Sequence, residues 1–253
     1  MPGTDKFSRW TRGRAGPQRP RVGHVTAAID AIPADLGPLA ERHFEAIIFD
    51  MDGTLINSLS AVERSWATWA VHYGITAEQL ANWHGVPSAA IIAHLIPESR
   101  RDEAKRFIDE LELVDTLGIV ALPGAVGALD ALDDARRAIA TSCHRELMDA
   151  RIAASGIPRP TVTVTVDDVE RGKPHPDPFL LAAQRLGLDP TRCLVVEDAT
   201  AGLVGARAAG CATLGVVTTT PRQVVAEHAD AVVTTLAEVR FLQSERGVAL
   251  TLA

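Results

Sequence analysis

The sequence predicts an α/β fold in which helices cover both faces of a parallel sheet and one helical module is inserted. Short apolar or β-branched runs alternate with helical segments after residue 120, as is typical of parallel strands joined by crossover helices. The interval 59–119 breaks this alternation, because its apolar residues recur at helical spacing. Together these observations indicate one α/β core with an insertion after its first strand.

The core strands are predicted where short apolar runs occur. In chain order these runs are 46–49, 138–140, 161–166, 193–196, 213–217 and 231–234. Helical segments between the later runs are 145–154, 178–186 and 201–209. Because parallel sheets of this kind hold ligands at the carboxyl ends of their strands, we expect the functional residues there.

Two apolar sets at helical spacing define the insertion. They are Val62, Trp66, Trp69, Ala70 and Tyr73, followed by Ala104, Phe107, Ile108, Leu111 and Val114. A turn at residues 83–87 separates them, and Pro123-Gly124 closes the insertion. We therefore predict a helical domain at 59–119 and an α/β core at 44–58 and 120–245.

The N-terminal segment differs in composition from the rest of the chain. Residues 1–22 carry six basic side chains against Asp5 alone, with prolines between them. This composition predicts a disordered extension, which we place at residues 1–43. A tail for nucleic acid or an acidic partner is one interpretation, and a dispensable extension is the simpler one.

Composition limits the classes of function. The 253-residue chain has a net charge of −7 and a pI near 5.6. Its overall charge therefore does not favour binding to nucleic acid or to an anionic membrane. The sequence contains neither a C-x-x-C pair nor an apolar run of the roughly 18 residues that span a membrane. Its first 43 residues lack the apolar h-region that is typical of a secretory signal. We expect a cytoplasmic protein, and the sequence leaves monomer or homodimer open.

The densest chemical signal follows the first predicted strand, where Asp50 and Asp52 flank Met51 before a turn at Gly53. Two carboxylates this close repel each other, so they need a cation or a shared proton to coexist. Both follow a strand, where a parallel sheet presents its ligands. The structural alternative is an acidic turn in which Asp52 caps the next segment.

Three further segments carry polar side chains that suit phosphate and a metal. Glu197 and Asp198 follow an apolar strand and can complete a hard-oxygen pocket of the kind that Mg²⁺ prefers. Lys173 lies between glycine and proline and can offer a point charge to phosphate. Thr141 and Ser142 precede a predicted helix, whose N-terminal N–H groups can hold phosphate. Taken singly, Lys173 also fits a solvated turn and Thr141 an N-cap.

These segments, taken together, resemble the haloacid dehalogenase superfamily of phosphohydrolases. The resemblance covers roughly residues 44–242 and rests on Asp50-Met51-Asp52-Gly53-Thr54, Thr141, Lys173 and Glu197-Asp198, in that order. It implies a Rossmann-like, doubly wound parallel core with an inserted helical cap. It also implies a Mg²⁺-dependent phosphoric monoester hydrolase that acts on a small phosphorylated metabolite through an aspartyl phosphate.

The resemblance also implies a role for each motif residue. Asp50 would attack phosphorus and bind the metal, and Asp52 would act as general acid and base while its backbone carbonyl binds the metal. Lys173 would neutralise charge on the nucleophile and on the phosphoryl group. Thr141 and Ser142 would hold phosphoryl oxygens. Asp198 would bind the metal, with Glu197 as a second or water-mediated ligand.

Asp52 favours phosphate-ester chemistry over dehalogenation, and the local motifs resemble sugar-phosphate and glycerol-phosphate phosphatases. We therefore expect a sugar or polyol monophosphate as substrate. Phosphoglycolate phosphatase is an alternative. A beta-phosphoglucomutase-like phosphotransferase is another, although the cap histidine and arginine of that enzyme are missing near Val62 and Val86. A regulatory or binding module on the same scaffold is the alternative that is not an enzyme.

Weaker candidates lie outside these motifs. In the family the cap contacts the substrate and contributes to its selection, so Trp83 and His84 are candidate substrate contacts. The alternative is that they pack within the cap. Asp168 precedes the lysine loop and is expected either to orient that loop or to cap a turn. The three cysteines, which include Cys143, are expected to be small apolar fillers.

Overall fold

The computed structural model describes residues 35–80 and 88–253. Its strands are β1 (His43–Phe44), β2 (Ala46–Phe49), β3 (Ile56–Asn57), β4 (Val120–Ala121), β5 (Arg137–Ala140), β6 (Val162–Val164), β7 (Cys193–Glu197), β8 (Ala212–Val216), β9 (Ala231–Val233), β10 (Val239–Ser244) and β11 (Gly247–Leu252). Its α-helices are α1 (Leu59–Tyr73), α2 (Ala77–Leu80), α3 (Ser88–Leu95), α4 (Arg101–Val114), α5 (Ala125–Asp130), α6 (Arg145–Ser155), α7 (Asp177–Leu186), α8 (Thr200–Ala208) and α9 (Arg222–His228).

A six-stranded parallel sheet forms the centre of the molecule, with the strand order β6-β5-β2-β7-β8-β9. Every predicted core strand is present, which confirms the predicted fold class. In the sheet β2 lies between β5 and β7, with Phe49 opposite Ile139 on one side and Val196 on the other. The residues that follow these three strands are therefore brought to one edge of the sheet.

Alternate residues of the central strands pack into two different apolar clusters. Ile47 and Phe49 of β2 belong to one cluster, whereas Ile48 belongs to the other. Successive side chains of a strand point to opposite faces, so both faces of the sheet are buried. This explains why β2 and β7 read as continuous apolar runs rather than as alternating ones.

The packed unit begins before the predicted boundary at residue 43. A 3₁₀ turn at Gly37–Leu39 places Leu36 and Leu39 in the larger apolar cluster, and Asp35 forms a bridge with Val232. The structure differs from the sequence prediction here because two leucines among polar residues give no periodic signal. The remainder of the predicted extension, residues 1–34, lies outside the described part of the chain.

This difference gives a prediction about truncation. A variant lacking residues 1–34 is expected to keep wild-type stability and catalytic constants within about twofold. A variant lacking residues 1–40 also loses Leu36 and Leu39, and each buried leucine contributes ~1.5–3 kcal/mol. Urea unfolding of the two variants measures the difference, and equal midpoints would contradict it.

A three-stranded antiparallel sheet, ordered β1-β11-β10, lies beside the core. Its strand β10 contributes Phe241, whose ring meets that of Phe49 edge to face at 5.8 Å. No strand is predicted from the sequence in this region, and the predicted core ends at residue 245. Strand β11 continues the packed unit to Leu252, with Val248 and Leu250 buried.

The helical insertion, residues 59–119, leaves and re-enters the core through the antiparallel pair β3 and β4. Helices α1, α3 and α4 pack around a cluster that contains the fully buried Trp69 and the partly buried Trp66. The indole of Trp69 donates a hydrogen bond to the Ala104 carbonyl at 2.9 Å. Trp69 thus joins α1 to α4, and Trp66 packs against the same apolar cluster. Within the described ranges, no helix is long and apolar enough to cross a membrane.

Candidate active site

The carboxyl edge of the sheet gathers the predicted acidic residues. Asp50 follows β2, and its N–H donates to the Val196 carbonyl of β7 at 2.9 Å, which continues the parallel ladder. Glu197 ends β7, and Asp198 follows it. Carboxylate oxygens of Asp50, Glu197 and Asp198 lie within 4.8 Å of one another, and all three residues are buried. We call these three residues the acidic cluster.

Lys173 supplies the positive charge inside this cluster. Its Nζ donates to Asp50 Oδ1 at 2.5 Å and to Glu197 Oε1 at 2.8 Å, and the side chain is only 5% exposed. The structure thus brings Lys173 together with the acidic residues that follow or end two neighbouring strands. One ammonium group faces three carboxylates, so the cluster has an excess of negative charge.

Burial and the crowding of carboxyl groups together shift the pKa values of the cluster. Burial raises the pKa of Asp50 well above its usual range; the charge of Lys173 opposes the rise, whereas those of Glu197 and Asp198 add to it. Burial also raises the pKa of Asp198 to about 7, and the charge of Glu197 adds to that shift. Burial would lower the pKa of Lys173, but the charges of Asp50 and Glu197 outweigh it and raise that pKa. The cluster therefore favours a further positive charge.

Two glycines allow the carboxylates to approach the backbone closely. Gly53 has φ +87°, and a Cβ atom there would lie 2.2 Å from Asp198 Oδ2. A Cβ atom at Gly202 of α8 would lie 1.6 Å from Glu197 Oε1. Any larger side chain at either position would displace a carboxylate, so both glycines are required by the geometry of the cluster.

Asp198 accepts hydrogen bonds from two threonine hydroxyls: Thr54 belongs to the first motif, and Thr219 was not identified from the sequence. Thr54 Oγ1 donates to Asp198 Oδ1 at 3.4 Å, and the Thr219 hydroxyl donates to Oδ2. Thr219 lies in the loop after β8, within the run 218–220 of three threonines. Polar residues directly after a buried parallel strand identified the other candidate site residues. The same criterion would have identified this loop as part of the site.

Asp52 is held by a different set of partners. Its Oδ1 accepts a hydrogen bond from Ser58 Oγ at 2.6 Å and lies 2.9 Å from Arg151 Nη1, while its Oδ2 accepts from Cys143 Sγ at 3.1 Å. The side chain is 26% exposed, unlike the acidic cluster. The two neighbouring aspartates therefore have separate environments, with Asp50 bonded to Lys173 and Asp52 close to Arg151.

Cys143 is buried in the larger apolar cluster, as predicted, but its thiol also contacts the site. Burial raises the pKa of its thiol well above the usual value, so the group stays protonated and can donate to Asp52. Arg151, in the middle of α6, was not identified from the sequence either. No local pattern marks it, because its proximity to Asp52 depends on how α6 packs against the loop after β2.

Thr141 and Ser142 follow β5 at the same edge of the sheet. Thr141 is buried, and its Oγ1 accepts a hydrogen bond from the Cys143 N–H at 3.2 Å, whereas Ser142 is exposed. The N-cap of α6 is His144, whose Nδ1 accepts from the Leu147 N–H at 3.2 Å. The helix thus begins three residues later than a Thr141 cap would require.

Asp168 has a structural role. It closes a capping box with Thr165 and accepts hydrogen bonds from Arg145 of α6 and Arg185 of α7. These contacts anchor both helices to the turn before the lysine loop, in agreement with the turn-capping alternative. Trp83 and His84, the candidate substrate contacts, lie outside the described residues.

Comparison with known proteins agrees with this arrangement. The family model of the haloacid dehalogenase-like hydrolases matches residues 47–216. Hexitol phosphatase A of Escherichia coli (strain K12) is 44% identical over 178 residues, covering 68% of this chain and 82% of the relative. Glycerol-1-phosphate phosphohydrolase 2 of Saccharomyces cerevisiae is 34% identical over 190 residues, covering 69% and 75%. A solved hydrolase structure from Pseudomonas syringae has a TM-score of 0.67 at 26% identity, covering 76% and 94%.

The matched segment, residues 47–216, includes both aspartates of the first motif, Lys173 and the acidic pair at the end of β7. The family resemblance drawn from the motifs is thereby confirmed, and so is the parallel core that it implied. The chain belongs to the haloacid dehalogenase-like hydrolases.

Proposed function

We propose that this phosphoric monoester hydrolase cleaves a small sugar or polyol monophosphate through a phosphorylated Asp50, with Mg²⁺ as its cofactor. The observation that carries the proposal is the Asp50 carboxylate, held by Lys173 inside a buried acidic cluster at the carboxyl edge of the sheet. Phosphatases among the curated relatives support the reaction class.

Asp50 is the proposed nucleophile. Lys173 holds Oδ1 at 2.5 Å, so we assign the attack on phosphorus to Oδ2. The new bond joins Oδ2 to phosphorus as the bond from phosphorus to the substrate oxygen breaks, and water later cleaves the aspartyl phosphate. Covalent catalysis of this kind replaces one difficult displacement by two easier ones. Lys173 also neutralises charge on the transferred phosphoryl group.

Asp52 is the proposed general acid and base. It would protonate the leaving oxygen of the substrate in the first step and take a proton from water in the second. Its separate partners, Ser58, Arg151 and Cys143, support an independent role, because Lys173 is bonded to Asp50 instead. Thr141 and Ser142 follow the adjacent strand β5, and we propose that they hold phosphoryl oxygens.

The acidic cluster fits a divalent cation. It offers several carboxylate oxygens within 4.8 Å of one another, and these hard donors suit Mg²⁺. Its excess of negative charge and the raised pKa of Asp198 both favour a further cation there. We propose Asp50 and Asp198 as ligands, together with the Asp52 carbonyl and Glu197 directly or through water. The metal would supply positive charge to the phosphoryl oxygens and screen Asp50.

This assignment predicts that Asp198→Asn weakens Mg²⁺ binding far more than it lowers stability. The amide keeps the shape, and its single oxygen can still accept from one of the two threonine hydroxyls while its NH2 group donates to the other, but it lacks the negative charge. The measurement is the rise in Tm on adding Mg²⁺, since a ligand that binds only the native state stabilises it by mass action. We expect the rise to be large in wild type and nearly absent in the variant. An equal rise in both proteins would exclude Asp198 as a ligand.

The substrate class rests on relatives and on the sequence of residues 83–88, where the sequence predicts a turn. The relatives compared above are phosphatases of hexitol and glycerol phosphates by name. That turn contains Trp83, His84 and Ser88 but neither arginine nor lysine, so a second anionic group on a substrate would lack an obvious partner there. We therefore propose a preference for neutral polyol or sugar monophosphates, with Trp83 and His84 as substrate contacts.

A comparison of substrates tests this proposal. Phosphate release with Mg²⁺ would be measured for hexitol phosphates, glycerol 1-phosphate, fructose 1-phosphate, phosphoglycolate and a bisphosphate. We expect the highest kcat/KM for a hexitol or glycerol phosphate. A clear preference for phosphoglycolate would overturn the polyol assignment, and the absence of phosphate release from every ester would overturn the proposed function itself.

A further inference from the structure

A buried arginine joins the helical insertion to the loop that carries Asp52. Arg151 of α6 is 4% exposed, and its Nη2 donates to Glu112 Oε2 of α4 at 3.1 Å. Its Nη1 lies 2.9 Å from Asp52 Oδ1 and donates to Cys143 Sγ at 3.1 Å. One rigid guanidinium thus contacts a carboxylate of the core on one side and a carboxylate of the insertion on the other.

This arrangement is poorly explained as a source of stability. Glu112 is 14% exposed and Asp52 26%, so three charged groups are largely removed from water. Desolvation offsets much of the attraction within a buried ion pair, and well-packed apolar residues often stabilise a fold as well or better. A planar guanidinium instead fixes the direction of the groups that it contacts, because its donors form a rigid fork.

We propose that Arg151 is a positioning residue, which orients the Asp52 carboxylate and links that orientation to helix α4 through Glu112. The inference rests on the proposed function, in which Asp52 exchanges protons with the substrate. Ser58 and Arg151 fix Oδ1, whereas the weak thiol donor of Cys143 is the only partner of Oδ2 among residues 35–80 and 88–253. Oδ2 is therefore the oxygen that we assign to proton transfer, and Glu112 makes its direction depend on the position of the insertion.

A double-mutant cycle on kcat tests whether Arg151 acts through Asp52. Arg151→Lys keeps the charge but replaces the two-armed contact by a single ammonium group. Because small misplacements of catalytic groups are costly, we expect kcat on the best polyol phosphate to fall by about 10- to 100-fold with little change in KM. In an Asp52→Asn background, the same Arg151→Lys change should alter kcat by less than about twofold, since the group that it positions is already absent.

Glu112→Gln tests the link to the insertion and preserves the contact between Arg151 and Asp52. The amide has nearly the same volume and still accepts a hydrogen bond, so the fold should be kept. We expect a smaller loss of kcat in the same direction as that of Arg151→Lys. The matched control is Arg159→Lys, whose exposed ion pair with Asp149 joins the same helix at a site away from Asp52. That control should leave kcat and KM unchanged.

Specific results would overturn the inference. An equal loss from Arg151→Lys with and without Asp52 would assign Arg151 a general structural role, and wild-type kcat for Glu112→Gln would remove the link to α4. If wild-type protein cleaves no phosphate ester, the proposed function fails separately. The link is then judged from Tm, where the losses for Asp52→Asn and Glu112→Gln should be non-additive because both residues contact Arg151. Additive losses would overturn it.

Discussion

Asp50→Asn is expected to abolish phosphatase activity while the protein remains folded. An amide is a poor nucleophile, and removing the nucleophile of a covalent hydrolase costs on the order of 10⁴-fold or more in kcat. The substitution also removes one of three crowded carboxylates, and burial had raised the pKa of Asp50. Lys173 keeps its hydrogen bond to Glu197, so the buried ammonium group retains a partner.

The measurement combines phosphate release with mass spectrometry of acid-quenched enzyme. Wild-type protein should carry a phosphoryl group on Asp50 during turnover, and the variant should carry none. Glu245→Gln is a suitable control, since this exposed residue lies in the turn between β10 and β11 and should leave both readouts unchanged. Wild-type turnover by Asp50→Asn would exclude the covalent mechanism.

Asp52→Asn has the second largest expected effect, and its size should depend on the leaving group. Loss of general acid–base help costs roughly 10²–10⁴-fold in kcat on a sugar or polyol phosphate, whose alkoxide needs a proton. The p-nitrophenolate group of an aryl phosphate such as p-nitrophenyl phosphate can leave without protonation. Phosphorylation of Asp50 by this substrate should therefore be slowed much less. Water attack in the second step still lacks its base, and phosphorylated Asp50 should accumulate.

Rapid-quench measurements with both substrates distinguish these steps. We expect a burst of p-nitrophenol and a trapped phosphoenzyme in Asp52→Asn, against slow phosphorylation by the polyol phosphate. The substitution should not disturb the fold, because the amide oxygen that it introduces can still accept from Ser58. Equal losses on both substrates, without accumulation of the phosphoenzyme, would argue against proton transfer by Asp52.

The sequence by itself determined the class of fold and the principal acidic residues. Both depend on local patterns: an apolar run such as β2 or β7 indicates a buried parallel strand, and an acidic residue directly after it must lie at the carboxyl edge of the sheet. The same reasoning applies to Asp50 and Asp198. Their neighbours in the sequence differ, but each follows one of two adjacent parallel strands. Helical spacing likewise predicted the cluster around Trp69.

Only the tertiary structure decided which partners these residues have. Lys173 is 123 residues from Asp50 in the chain, and Arg151 meets Asp52 only because α6 packs against the loop after β2. The antiparallel strand β11 and the buried leucines before β1 were missed for a related reason. The hydrophobic periodicity of a segment indicates which of its side chains are buried. Contacts between distant segments depend instead on the strand order and on helix packing. The separate environments of Asp50 and Asp52 arise from those contacts. Residue type and spacing alone do not distinguish the two aspartates.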